Sequence, residues 1–269
     1  WLLMSKTHSD ADDKVLLRYN ARDIAWLTLN RPKAYNALSS DLMSELISSL
    51  NSIANERNIK VVVIKGAGKG FCAGHDLQEM KVNNNETFLE NFFAQCCVLM
   101  QAIVNLPQPV IAQVHGTAAA AGCQLVASCD LAFADDNATF ATPGVNIGLF
   151  CSTPMVAVSR KINRKKMMEM LLLGDKIDSK TAVEHGLINQ RVPAKLLNKA
   201  VSEVANKIAS KSPLTLKIGK EAFYKQLEMP LSEAYEYTSK VMIQNMQARD
   251  AEEGISAFIE KRLPVWTGR

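Results

Sequence analysis

The chain has 269 residues, enough for one large domain or one domain with a small appendage. Hydrophobic residues make up 48% and charged residues 22%, with 13 Gly and 9 Pro, which excludes disorder, a collagen repeat and a coiled coil. The 31 Lys and Arg exceed the 27 Asp and Glu by too little for nucleic acid to be the expected partner, while anionic small molecules stay open.

Residues 1–13 read as a flexible N-terminus, with a plausible start at Met4. Residues 24–29 are strand-length and apolar. Residues 41–54 place Leu42, Leu46, Leu50 and Ile53 on one helical stripe, with Ser39 or Ser40 as candidate N-cap. Strands are expected at 61–64, 110–114, 131–134 and 187–192, the first two of these buried on both faces. Helices are expected at 88–104, 165–173, 196–209, 214–226, 231–246 and 251–261. The reading is an α/β core over 14–195 with a helical region over 196–269. No flexible linker separates the two, so the helices should pack as part of the assembly. The basic run Arg160–Lys166 reads as a solvated helix end, with an anion or subunit contact as the alternative.

The cysteines at 72, 96, 97, 123, 129 and 151 form no CxxC pair and have no His at zinc-ligand spacing, so no metal site is expected. Apolar surroundings suit reduced, buried thiols. No signal peptide and no membrane span are read from the sequence, and the cytoplasm is the default compartment. Neither GxxxxGK[ST], GxGxxG nor GxSxG occurs, and Gly66–Gly70 reads as a turn after a strand, so no nucleotide cofactor is expected. Two segments, 70–77 and 115–124, place small residues where a strand gives way to a helix. If both face one pocket, free N–H groups there could hold an anionic oxygen; close helix packing explains the Ala run equally well.

The segments NRPKAYNAL (30–38), FCAGHDLQEM (71–80), AAGCQLVASCDLAFA (120–134) and FATPGVNIGLF (140–150) come in an order and spacing that resemble the enoyl-CoA hydratase/isomerase (crotonase) superfamily. GISAFIEKR at 254–262 extends the likeness, which runs from about Val15 to Trp266. GCQLVASCD followed by ATPGVNIGLFCSTP looks most like the enoyl-CoA hydratase domain-containing group. The resemblance implies an α/β spiral of ββα units, with C-terminal helices that form homotrimers or paired trimers. It implies a CoA thioester as substrate and no separate cofactor. By motif position, the N–H groups of His75 and Ala121 would form the oxyanion hole. Lys33, Ala34 and the backbone of Ala73, Asp76 and Leu77 would line CoA. Phe258 and Lys261 of a neighbouring subunit would close over the nucleotide. A eukaryotic member with its presequence removed would work in the mitochondrial matrix.

The sequence departs from that pattern where the family's two catalytic glutamates belong, for those positions hold Gln124 and Gly144. Gln can orient a water but cannot take its proton, and acid/base groups typically contribute about 10²- to 10⁴-fold, so ordinary hydration should be weak. Ala121 replaces a common Gly and would be strained if its φ were positive. Substitute groups could come from His75, Asp76, Gln95, His115, Asn146, Cys151, Ser152 or Thr153. Cys151 at a helix start could be a thiolate, or a small apolar filler. Four activities are open: enolate chemistry other than hydration, a weak hydratase using Gln124, acyl-CoA binding without turnover, and a serine protease relative using Ser152 with His75 or His115.

Overall fold

The computed structural model describes residues 14–269, so the segment 1–13 lies outside the described residues. The chain runs through β1 (Leu16–Ala21), β2 (Ile24–Leu29), α1 (Ser40–Ala54), β3 (Val61–Gly66), α2 (Leu77–Val82), α3 (Glu86–Asn105), β4 (Val110–Val114), β5 (Thr117–Ala119), α4 (Ala121–Ser128), β6 (Leu131–Asp135) and β7 (Thr139–Ala141). It continues through α5 (Ser152–Val158), α6 (Arg164–Leu173), β8 (Ile177–Asp178), α7 (Ser179–Glu184), β9 (Gln190–Val192), α8 (Leu197–Ala209), α9 (Pro213–Gln226), α10 (Leu231–Met246) and α11 (Arg249–Glu260).

Six strands form one sheet in the order β1-β2-β3-β4-β6-β9, antiparallel only between β1 and β2. Alternation along the strands sends side chains to two separate cores. Val61 and Val63 join Ile111, Phe133 and Val192 under α8, whose Leu197, Val201, Ala205 and Ala209 face them. Val62 and Ile64 point the other way, into a larger core with Leu42, Leu46 and Leu50 of α1 and Cys96, Leu99 and Ile103 of α3. Truncating one of these fully buried leucines to Ala should cost about 2–5 kcal/mol. Because α8 covers the sheet, the helices standing clear of it begin at α9. A second sheet, β5-β7-β8, carries the loops that follow β4 and β6.

Caps follow the chemistry of helix ends. Ser39 accepts the Leu42 N–H to start α1, Asn85 that of Phe88 to start α3, and Ser212 that of Thr215 to start α9. By length and mean hydropathy α3 could cross a membrane. It instead buries Phe92, Cys96, Leu99, Met100 and Ile103, and carries Glu86 and Glu90 on its polar side.

α9 is tied to the core by one ion pair. Lys220 Nζ lies 2.7 Å from the Asp130 carboxylate and also donates to Ile103 O at 3.0 Å and Gln108 O at 3.1 Å, while Tyr224 donates to the same carboxylate at 2.9 Å. These contacts bind α9 to the C-terminal ends of α3 and α4. Burial lowers the pKa of Lys220, and the Asp130 charge opposes that. Farther on, buried Asp250 accepts from Ser212 Oγ and from the N–H groups of Thr267 and Gly268, folding the last residues back onto α11. α10 and α11 leave Leu231, Tyr235, Met242, Phe258 and Ile259 exposed.

Candidate active site

The two small-residue segments meet, and glycine is the reason they can. Cys72 and Ala118 form a parallel bridge, Leu38 and His75 a second, and Ala119 N–H donates to Cys72 O at 2.9 Å. Gly74, at φ +106°, lies so close that a Cβ there would stand 2.9 Å from Ala120 Cβ and 3.4 Å from Ala121 N. Gly122 packs in the same way, since a Cβ on it would overlap Cys72 O. The backbone of residue 75 is thereby brought beside the N-terminus of α4.

In the Leu38 bridge, Gly74 O and Asp76 N are used, at 2.7 and 3.0 Å, and the intervening His75 N–H points away. The Ala121 N–H opens α4. Neither N–H has an acceptor among the described residues. Two such donors, one of them at a helix start, favour an oxygen that gains negative charge, and one donor of this kind is worth about 2.7–4 kcal/mol in a transition state. Ala121 is helical. The positive φ falls on the preceding residue, Ala120, at φ +48° and ψ −117°.

The His75 side chain turns from the donors toward α3, edge-on to Phe92 at 5.4 Å and Phe93 at 5.3 Å. Its Nε2 is buried without a partner, and burial lowers its pKa to about 4. The ring is neutral at pH 7, and its packing against α3 keeps it from reaching a proton beside the two donors.

All eight residues of α4 are buried, so the helix shows no amphipathic stripe. Gln124 is buried too, with its Oε1 unpartnered. Its side chain lines a cavity of about 1170 Å³ between α3, α4, α5 and α9, together with Met100, Val104, Thr153, Val156 and Leu227. Thr153 is the one substitute residue found there with Gln124. Gln95 bonds Ser40 O and Ser44 Oγ, His115 bonds Gly68 O, Asn146 bonds Gly174 O, and Ser152 bonds Phe150 O. Among the described residues no Ser152–His pair forms, so the serine protease alternative has no support.

Gly144 lies in a short 3₁₀ turn, Pro143–Ile147, outside the left-handed region. Space is the obstacle to a side chain there, not φ: a Cβ would stand 3.0 Å from both Cys151 Sγ and Leu149 O. The Cys151 sulfur accepts the Gly144 N–H at 3.3 Å. Burial raises the Cys151 pKa, partly offset by that bond, so the thiolate expected at a helix start is not favoured and the residue acts as a filler.

On the outer side, Lys33 and Ala34 form the turn Pro32–Ala34, and the Ala73 N–H donates to Tyr35 O at 3.0 Å. Ala73 and Leu77 are exposed beside it. Asp76 caps α2 through Gln78 N and Glu79 N and pairs with Arg31 at 2.8 Å. Burial works against its charge, but the Arg31 bond and the two N–H groups outweigh it and lower the pKa. Phe258 and Lys261 lie on the exposed end of α11. Sequence reasoning missed Asn36. Fully buried at φ +56°, it accepts the Arg31 N–H and donates to Ala67 O and Gly70 O, joining the two outer loops. An Asn in a turn after Pro is the signal that could have exposed it.

The sequence profile described as enoyl-CoA hydratase/isomerase matches residues 20–269. The human enoyl-CoA hydratase domain-containing protein 3, mitochondrial, is 46% identical over 241 residues, covering 90% of this chain and 80% of that protein. The crystal structure of the human domain-containing protein 3 superposes with a TM-score of 0.92 at 43% identity, covering 94% of this chain and 100% of the other. An enoyl-CoA hydratase from Mycobacterium smegmatis gives 0.92 at 44% identity, with 94% and 99% covered.

Proposed function

The chain belongs to the enoyl-CoA hydratase/isomerase family, an enzyme family of crotonase fold, and from that premise we propose that it holds an acyl-CoA thioester with the carbonyl oxygen between the N–H groups of His75 and Ala121. The observation that carries this is the pair of unpartnered donors brought together by Gly74. CoA would run over the turn of Lys33 and Ala34 and along the backbone of Ala73, Asp76 and Leu77. Charge developing on the thioester oxygen as an enolate forms would be held by the two donors, favouring chemistry at the neighbouring carbon. Ordinary hydration is disfavoured, because Gln124 cannot accept a proton and Gly144 has no side chain. A second reading, binding without turnover, is favoured by Cys151, which fills the space where the other glutamate would begin. The mitochondrial names of the relatives support the matrix rather than the cytoplasm as its place of work. The exposed apolar residues of α10 and α11 support a trimer in which Phe258 and Lys261 reach a neighbour's CoA.

Thermal unfolding with and without ligand tests the reading. At a hundredfold excess over Kd a native-state ligand adds about 2.7 kcal/mol, and acyl-CoA should raise the melting temperature more than CoA, because only the thioester reaches the two donors. Equal shifts would refute the oxyanion-hole assignment. Mass spectrometry after incubation with a panel of acyl-CoAs then separates turnover from binding alone: new thioesters or free CoA indicate reaction, unchanged ligand indicates a binding protein.

A further inference from the structure

The cavity beside Gln124 has two chemically different ends. Gln124, Ala127 and Ser128 of α4 form one wall; the Ala121 N–H, one of the paired donors, lies about one turn before Gln124, and Asp130 stands just beyond the helix's C-terminus. Along α3 the wall runs from Cys97 to Asn105, about 12 Å at the usual helical rise of about 1.5 Å per residue. The middle is apolar, formed by Met100, Val104, Ala127, Val156 and Leu227. The cations stand on α9 and just after α5.

Five cations line the cavity against two acids, Glu221 and Glu228. Lys220 is neutralised by Asp130, Arg160 reaches Glu228 at 3.5 Å, and Lys225 lies 4.7 Å from the Tyr237 ring centroid. Two remain. Lys161 makes no ion pair among the described residues; its Nζ lies 5.4 Å from the Tyr224 ring centroid, whose hydroxyl bonds Asp130. Lys217, on α9 one turn before Lys220, has no polar partner among the described residues. Part of the basic run in the sequence thus faces the cavity, and only part of it is a solvated helix end. The Gln124 Oε1, buried without a partner, marks the α4 wall as able to meet a polar group.

Resting on the thioester reading above, we propose that the acyl group this chain takes is an apolar chain ending in a carboxylate, an ω-carboxyacyl-CoA, with the thioester at the N-terminus of α4 and the carboxylate between Lys161 and Lys217. An apolar tail would leave the two ammonium groups as they are; a terminal carboxylate gains both while its methylenes cover the middle wall.

The test compares decanoyl-CoA with the CoA monothioester of decanedioic acid by titration calorimetry, on the wild type and on K161M/K217M. Both lysines lie outside the donor pair, and melting temperatures of the free proteins check that the variant folds. The expected result is about tenfold tighter binding of the dicarboxylic thioester by the wild type, in the range of one charge-assisted contact. The preference should vanish in the variant, decanoyl-CoA binding should change little, and added salt should erode the difference. Equal affinities in the wild type, or a preference that survives both substitutions, overturn the proposal and leave the thioester reading standing. Failure of both ligands to bind overturns both. If the double variant does not fold, K161M and K217M are measured singly, and each must lose part of the preference.

Discussion

Cys151 sits over Gly144: its sulfur accepts the Gly144 N–H at 3.3 Å, and any side chain at 144 would begin 3.0 Å from that sulfur. At the position where the resemblance puts a family glutamate, the bare glycine and this thiol are therefore one packing solution. Gly144→Glu alone should overpack the turn and cost about 1–3 kcal/mol. Gln124→Glu with Gly144→Glu should gain little for the same reason. Adding Cys151→Ala removes the sulfur contact and leaves the Leu149 O contact for the loop to yield by a few tenths of an ångström, and should raise crotonyl-CoA hydration above the wild type, at most within the range of about 10²- to 10⁴-fold typical of acid/base groups. Loss of enoyl-thioester absorbance, measured with the melting temperature, checks this. A triple variant that folds and stays as slow as the wild type refutes it.

His75 should leave a mark on acid stability. Its pKa falls on folding from the ordinary 6.5 to about 4 through burial. Between those values the unfolded chain binds more protons, so stability rises with pH across the window and is lost as pH falls through it. Over the whole window the contribution is on the order of 3 kcal/mol. His75→Phe should flatten this part of the pH profile while acyl-CoA still binds, because the donor is backbone. Denaturant melts at pH 4.5 and 7 would show it.

Ala120 holds a backbone conformation suited to glycine, φ +48° with ψ −117°. Strain of this kind costs about 1–3 kcal/mol, and the greater freedom of glycine in the unfolded chain returns about 0.4–1 kcal/mol of it. Ala120→Gly should therefore raise the melting temperature. A lower value would mean that the Ala120 methyl is needed for packing against Gly74.

Gln124 is expected to cost stability in the empty protein, because its Oε1 is buried without a partner. Gln124→Met keeps the volume and removes the orphaned group. It should stabilise the free protein by about 1 kcal/mol and weaken any reaction that needs a positioned water. Chemical denaturation and product assays on the same preparation test both halves.

The exposed stripe on α11 predicts assembly. Sedimentation should give three or six chains, and Phe258→Asp with Ile259→Asp should shift the mass toward one chain. A wild type that sediments as a single chain at micromolar concentration would exclude this.

Legibility in the sequence followed periodicity. β2 and β4 stand at 24–29 and 110–114 as read, and α10 at 231–246, because their patterns are clean. β5 and β7 have three residues each and cannot carry a pattern. β1, LLRYNA, is a half-exposed edge strand with little alternation. α4 is buried on every side and begins without a polar cap, so neither its stripe nor its start is visible. The loop convergence was legible only as a condition, since no rule of spacing brings Gly74 against Ala121. The cavity is less legible still: its far end depends on Lys220 meeting Asp130 across 90 positions, and nothing local announces such a contact.

The total burial of α4 limits how the protein can change over generations. None of its eight positions faces solvent, so a drifting mutation there meets the core at once, and a one-residue insertion would displace the Ala121 N–H and the wall of the cavity together. On the proposed reading, new acyl preferences would be more accessible through α9, half-exposed and tied to the core at Lys220 and Tyr224, whose outer positions can vary without disturbing the N-terminus of α4. A lineage of such chains would keep one reaction centre and exchange its substrates by rewriting a single peripheral helix.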